Sequence, residues 1–270
     1  MSFIRAVGIT QQFNDKTAVN QLDLSIDQGR IYSIIGPNGC GKSTLLRILA
    51  RQLKPKQGEV FLEGENLYKM PPKRAALKLA LLAQSAEPVD LTVQQLIAYG
   101  RSPHKSMLQK MNKDDDEIIR WAIEQTNLQH LADRNVATLS GGERQRVWIA
   151  LAIAQQSAVL LLDEPTTFLD VSHQLEVMEV VAGLNRNHGT TIIMVLHDMN
   201  HAAAYSDEII VMNHGRLYSK GAPDEVMTPA MLREVFQVEA RIYTDPEDGK
   251  PAYLLKGLAD KERAGKEYVH

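Results

Sequence analysis

The run Gly36-Pro37-Asn38-Gly39-Cys40-Gly41-Lys42-Ser43-Thr44 constrains this chain more than any other stretch of it. It satisfies the pattern G-x-x-x-x-G-K-[ST]. It also sits between a β-branched and aromatic run, Arg30 to Ile35, and a segment with helical spacing, Thr44 to Leu53. Strand, glycine-rich turn and helix in that order make a phosphate-binding loop. Glycines let the backbone bend so that successive N–H groups point inward at phosphate oxygens. The helix that starts near Lys42 adds its positive end. Lys42 places a point charge on the β- and γ-phosphates, and Ser43 supplies a hydroxyl to Mg²⁺.

A second motif takes its meaning from the first. Val159-Leu160-Leu161-Leu162 is an apolar strand that ends in Asp163 and Glu164. Such a strand carries its terminal carboxylates to the edge of the sheet, where open α/β sheets bind ligands. Asp163 is expected to hold the Mg²⁺ shell, and Glu164 to polarise the attacking water as general base.

The pattern around these motifs predicts an α/β fold. Leu22, Leu24 and Ile26 alternate with polar residues as in a half-exposed strand, and Gly58 to Leu62 is strand-like. Val159 to Leu162 and Thr190 to Leu196 are continuous apolar runs, suited to strands buried on both faces of a mainly parallel sheet. Ser172 to Asn187, between them, reads as a helix ending near Gly189, which gives a strand–helix–strand crossover. From about Glu87 to Asn135 the chain is helical in pattern. There Asp114-Asp115-Asp116-Glu117 reads as a solvated helix start, with Ile118, Trp121, Ala122 and Gln125 on one face. Ala240 to Thr244 and Ala252 to Leu255 flank a turn-rich hairpin connection, and the end of the chain is a charged, frayed tail.

Composition removes several classes of function. Lysine and arginine number 30 against 33 aspartates and glutamates, a net charge of −3, which argues against a protein that neutralises nucleic-acid backbones. One cysteine, Cys40, excludes an internal disulfide and a Cys-rich zinc site. No apolar run is long enough to span a bilayer: Val147 to Leu162 comes nearest and is interrupted by Gln155, Gln156 and Ser157. The first residues lack the features of a signal peptide, so the chain is expected in the cytosol or on the cytosolic face of another component. His197 and His201 are four apart, as in zinc proteases. The acid between them is Asp198 where such proteases need Glu, and His197 ends a strand, so zinc is rejected.

Leu139-Ser140-Gly141-Gly142-Glu143-Arg144-Gln145-Arg146 opens an apolar helix. Ser140 is a good N-cap and Glu143 completes a capping box, but the two glycines exceed what a cap requires and leave an anion site at the helix end. This motif resembles the signature of the ATP-binding-cassette (ABC) family, and the likeness covers the chain from about Phe3 to Leu255. The resemblance implies a P-loop ABC ATPase fold: a RecA-like core, an antiparallel β subdomain and a helical insert. The expected boundaries are a nucleotide-binding domain over 1–256, with core 1–86 and 136–256, a helical subdomain over about 87–135, and the tail over 257–270. ATP and Mg²⁺ are the implied ligands. Two copies are implied to pack head to tail, each ATP lying between the Lys42 loop of one and Ser140-Gly141-Gly142 of the other.

Other roles come from the resemblance residue by residue. Gln84 fits the glutamine that senses Mg²⁺ and the γ-phosphate and links to the membrane partner. His197 fits the switch histidine at the γ-phosphate. Asp170 fits the loop that crosses the dimer, although Thr167-Phe168 stands where a small pair is usual. Phe13 is placed like the aromatic that stacks on adenine.

A single cassette in which Ser140 follows Gln84 by 56 positions, with no fused membrane segment, resembles an importer motor docked on a separate permease more than an exporter or a soluble cassette acting on nucleic acid or ribosomes. Tyr99-Gly100-Arg101-Ser102-Pro103-His104, the run Leu162 to Leu175, and Val195 to Ala202 look like the bacterial group serving ferric siderophores, haem and vitamin B12, nearest the siderophore branch. The implied partners are a second copy, an integral membrane permease at the cytoplasmic face and, indirectly, an extracytoplasmic substrate-binding protein, with no nucleic acid.

Overall fold

A computed structural model describes residues 2–83, 88–106, 109–247 and 249–259. Strands β1 (Ile4–Phe13) and β2 (Lys16–Ile26) open the chain as an antiparallel pair. Leu22, Leu24 and Ile26 are buried, and the residues between them face outward. Strand β3 (Ile31–Ile35) is buried throughout and runs into the glycine loop and helix α1 (Lys42–Leu49). That helix is displaced toward the loop from the expected Thr44–Leu53, because Arg51 adopts a left-handed conformation (φ 61°) just after it and stops it.

Strands β4 (Gln57–Leu62) and β5 (Glu65–Asn66) extend the first pair into a four-stranded antiparallel sheet of order β2-β1-β4-β5. Helix α2 (Pro72–Lys78) and strand β6 (Leu79–Leu82) follow. The helical region holds α3 (Val93–Ala98), a 3₁₀ segment (Tyr99–His104), α4 (Lys113–Gln125) and α5 (Gly141–Ala154). The chain then alternates β7 (Val159–Asp163), α6 (Val171–His188), β8 (Thr191–Val195), α7 (Met199–Tyr205) and β9 (Glu208–Asn213). It closes with β10 (Arg216–Gly221), α8 (Pro223–Val226), α9 (Pro229–Phe236) and the hairpin β11 (Val238–Thr244) and β12 (Pro251–Leu258).

The larger sheet has order β10-β9-β3-β8-β7-β6, parallel except for β10. Each residue of β7 and β8 is buried. Their side chains alternate between two cores: Leu161, Ile193 and Val195 face α1 and the antiparallel sheet, while Leu160, Leu162, Ile192 and Met194 face the helical region. A sheet covered on both faces is why these strands read as unbroken apolar runs.

The acidic start of α4 is not a uniformly solvated helix end. Asp114, Asp116 and Glu117 are exposed, but Asp115 is buried. Its carboxylate accepts from Arg101 Nε at 3.0 Å, pairs with Lys105, and accepts from the Asn112 backbone N–H at 3.0 Å in a capping box. Burial pushes this carboxyl up, yet the Lys105, Asn112 and Arg101 contacts outweigh it and hold it down at about 2. The inward face of α4 is accordingly Asp115, Ile119, Ala122 and Ile123, with Ile118 and Trp121 only half-buried at its edge.

Strand β12 continues to Leu258, and Tyr253 N–H donates to Asn200 Oδ1 at 3.0 Å, tying the hairpin to α7. The charged end of the tail, 260–270, lies outside the described residues. Among the described residues, no helix is long and apolar enough to cross a membrane.

Candidate active site

The glycine loop leaves the C-terminal end of β3 and is held by its walls. Gly36 (φ 150°) and Gly41 (φ 107°) have backbone conformations that L side chains rarely adopt. A Cβ on Gly36 would lie 2.2 Å from the Met212 carbonyl oxygen, and one on Gly41 would lie 2.1 Å from that of Ala18. The Gly215 N–H donates to the Cys40 carbonyl at 3.0 Å, and the Asn20 N–H to the Gly215 carbonyl at 2.8 Å. The loop is therefore clamped between β2 and the β9–β10 turn. Lys42 is buried, and its Nζ donates to the carbonyls of Gly36 (2.8 Å) and Pro37 (3.1 Å), inside the curve of the loop.

Ser43, in the first turn of α1, meets Asp163 at the end of β7: its hydroxyl donates to Oδ1 at 2.8 Å across 120 residues of sequence. Asp163 is buried, and burial pushes its carboxyl up. The Ser43 hydrogen bond opposes that rise and the neighbouring Glu164 charge adds to it. A hydroxyl and a carboxylate, both oxygen donors and in contact, fit a hard divalent cation, whose charge would offset the cost of burying the Asp163 carboxylate.

Glu164 adopts φ 55°, an uncommon conformation for a residue with a side chain. Its Oε2 accepts from Thr167 Oγ1 at 3.2 Å and its Oε1 lies 2.7 Å from His197 Nε2. His197 follows β8, the parallel neighbour of β7, and Asp163 is in register with Val195. The sheet thus brings Lys42, Ser43, Asp163, Glu164 and His197 to one edge, from three adjacent strands in the order β3-β8-β7.

Ser140 caps α5: its Oγ accepts from Glu143 N–H at 3.3 Å, and Glu143 Oε2 accepts from Ser140 N–H at 2.8 Å. Asp170 caps α6, accepting from His173 N–H at 3.0 Å. Among the described residues, neither Ser140-Gly141-Gly142 nor Asp170 hydrogen-bonds to the Lys42 loop or to the end of β7. Phe13 ends β1 and is half-exposed. The adjoining β1–β2 turn reaches the loop, since Lys16 Nζ is 3.5 Å from where a Cβ on Gly39 would be. Gln84 lies outside the described residues. In His197-Asp198-Met199-Asn200-His201, Asp198 caps α7 through the N–H groups of Asn200 and His201, and the His201 ring meets Tyr205 edge-on.

Sequence reasoning missed three parts of this site. Thr167 braces Glu164 from within a run already singled out. Ala18 and Met212 form the loop's walls through backbone carbonyls, which leave no side-chain signature. Lys16 adds a cation beside the loop that no spacing rule indicates.

A phosphate loop whose serine touches the carboxylate of a neighbouring buried strand, followed by a His-braced Glu, defines a P-loop nucleoside triphosphatase. The family model described as ABC transporter matches residues 19–167, and the chain belongs to that family, as one of its ATPases. It is 46% identical over 252 residues to the iron(3+)-hydroxamate import ATP-binding protein FhuC of Bacillus subtilis (strain 168), spanning 93% of this chain and 94% of that one. It is 43% identical over 255 residues to the ferric enterobactin transport ATP-binding protein FepC of Escherichia coli (strain K12), spanning 94% of each. Among solved structures it is similar to an inward-facing conformation of a putative metal-chelate type ABC transporter, with TM-score 0.81, 25% identity, and coverage of 95% of this chain and 98% of that one.

Proposed function

We propose that this chain is the ATP-hydrolysing subunit of a bacterial importer that takes up a ferric siderophore through a separate membrane permease, at the cytoplasmic face, as a homodimer. The observation that supports the ATPase chemistry is that Asp163 with Ser43 and Glu164 with His197 stand at the ends of the adjacent parallel strands β7 and β8, at the sheet edge that also carries the Lys42 loop, an arrangement that suits a metal shelf and a general base. The cargo reading is supported by the relatives named for ferric hydroxamates and ferric enterobactin.

Ser43 and Asp163 would hold Mg²⁺, with Gln84 as a further ligand, and the ion would supply charge neutralisation for the phosphates. Loop N–H groups and Lys42 hold the phosphates, with Phe13 against the adenine. Glu164 accepts a proton from the attacking water, while His197 and Thr167 fix its carboxylate and His197 faces the γ-phosphate. Ser140-Gly141-Gly142 is read as an anion site; among the described residues it makes no hydrogen bond to the Lys42 loop of its own chain, which fits a γ-phosphate bound to a second copy. ATP then closes the dimer because both halves share it, and hydrolysis releases it. Catalysis on this reading is positioning plus electrostatics.

The permease is read onto the helical region. A groove lined by Leu91, Gln95, Tyr99, Lys105 and Met111, with Tyr99 and Met111 exposed, fits a permease helix. The substrate-binding protein acts on the far side of the membrane and meets this chain only through the permease.

Uptake of radiolabelled ferric chelates in a deletion strain tests the cargo. Loss of ferric-siderophore uptake with haem and cobalamin uptake intact is the expected result. Loss of haem or cobalamin uptake instead reassigns the cargo.

A further inference from the structure

The start of α5 and the start of α6 touch through one side chain. His173, in the first turn of α6, points its Nδ1 at Asp170 Oδ1 (2.7 Å), the same oxygen that accepts the His173 backbone N–H at 3.0 Å. The other edge of the ring lies on Gly142. A Cβ on Gly142 would lie 2.8 Å from both Cδ2 and Cγ and 3.2 Å from Nε2. Contacts under 3.0 Å are relieved only if the ring moves, and the ring is held by Asp170. Gly142 lies outside the positive-φ region, so its lack of a side chain answers to this packing and not to backbone conformation. About one turn further along both helices, Arg146 pairs with Glu176, a second tie between the same two elements.

We propose that His173 is a positioning residue that locks the Asp170 loop to the Ser140-Gly141-Gly142 loop, so that the two segments meeting the second copy present themselves as one rigid unit. The inference rests on the composite-site reading above. In that reading both loops engage the partner's nucleotide site, so their mutual spacing sets whether ATP can be closed upon. Loss of the ring leaves nucleotide binding at Lys42 intact and loosens the closure that follows.

A double-mutant cycle between Gly142→Ala and His173→Ala tests it. Gly142→Ala alone is expected to lower kcat for ATP about 20-fold, and His173→Ala alone about 5-fold, while in the His173→Ala background the added methyl costs no more than about 3-fold further, because it then clears the ring. Affinity for a fluorescent ATP analogue in the monomer and the melting midpoint should stay near those of the parent in all three. An equal Gly142→Ala penalty in both backgrounds, or losses that follow the melting midpoints, overturns the inference. Should Gly142→Ala fail to fold, His173→Asn against His173→Ala decides. Asn keeps a donor toward Asp170 and should recover at least half of the ATP-driven dimer, and no recovery counts against the lock. Glu164→Gln with His173 intact separates the two claims. If that variant does not dimerise with ATP, the composite site fails. If it dimerises and the cycle is additive, only the role of His173 fails.

Discussion

His197 Nε2 lies 2.7 Å from Glu164 Oε1, so a residue just beyond β8 steadies the carboxylate just beyond β7. With Thr167 on the other oxygen, both faces of the carboxylate are occupied by side chains that can hold it in one rotamer. Replacing Glu164 by Gln removes the proposed proton acceptor and keeps the shape. With Glu164 as the proposed base, the variant should bind Mg-ATP, dimerise, and hydrolyse about 100-fold or more slowly in a single-turnover assay. Near-normal turnover removes Glu164 as the base.

His197→Ala should lower kcat about 100-fold with a much smaller change in ATP affinity, since His197 contacts the Glu164 carboxylate and, on the proposed reading, faces the γ-phosphate end and not the loop. A steady-state titration that shows the loss mainly in KM contradicts that division of labour.

Ser140→Arg places a long cation at the capped start of α5, where the helix end would face the second copy's nucleotide. ATPase should disappear while one-to-one nucleotide binding by the monomer survives, read by equilibrium binding and by sizing in the presence of ATP. Retained ATPase removes the composite site.

Cys40 is buried in the loop, and burial pushes its thiol up despite the nearby Lys42 charge. A maleimide should therefore label the folded chain about tenfold or more slowly than a free cysteine, and Mg-ATP should slow it further. Equal labelling with and without nucleotide contradicts the placement of this loop around phosphate.

Asp115 sits between Arg101 and Lys105, and its carboxyl is held at about 2, below its ordinary 3.8. A depressed native value favours folding above the unfolded value, and that contribution is lost as pH falls from about 4 through about 2. Asp115→Ala leaves two cations beside an emptied, buried position and should cost about 3 kcal/mol in urea unfolding at neutral pH. The difference between variant and parent should shrink in the same acid window.

The legible parts of this molecule were those whose partners are close in sequence or whose role dictates residue type. The Lys42 loop, the Asp163-Glu164 strand end and the β7–α6–β8 crossover are of that kind. Asp115 was not legible. An acidic run at a helix start marks a solvated end by its pattern, and only the fold brings Arg101 and Lys105 over one of its carboxylates. That pairing also turns α4 inward onto Asp115 and Ile119, where the spacing had favoured Ile118 and Trp121. The contact of His173 with Gly142 was hidden for the same reason: a glycine pair at a helix start already has a local explanation.

The clamped glycine loop has one further consequence. With Gly36 against the Met212 carbonyl and Gly41 against that of Ala18, the cradle keeps its shape by virtue of its surroundings. A pocket built in advance spends little on ordering itself, and on the proposed reading it would hold the diphosphate common to spent and fresh nucleotide. The decision whether to act would then fall to the third phosphate, where His197 and a second copy would do the sensing. A motor of that kind would idle with its fuel port occupied, its timing set by the parts that meet the third phosphate.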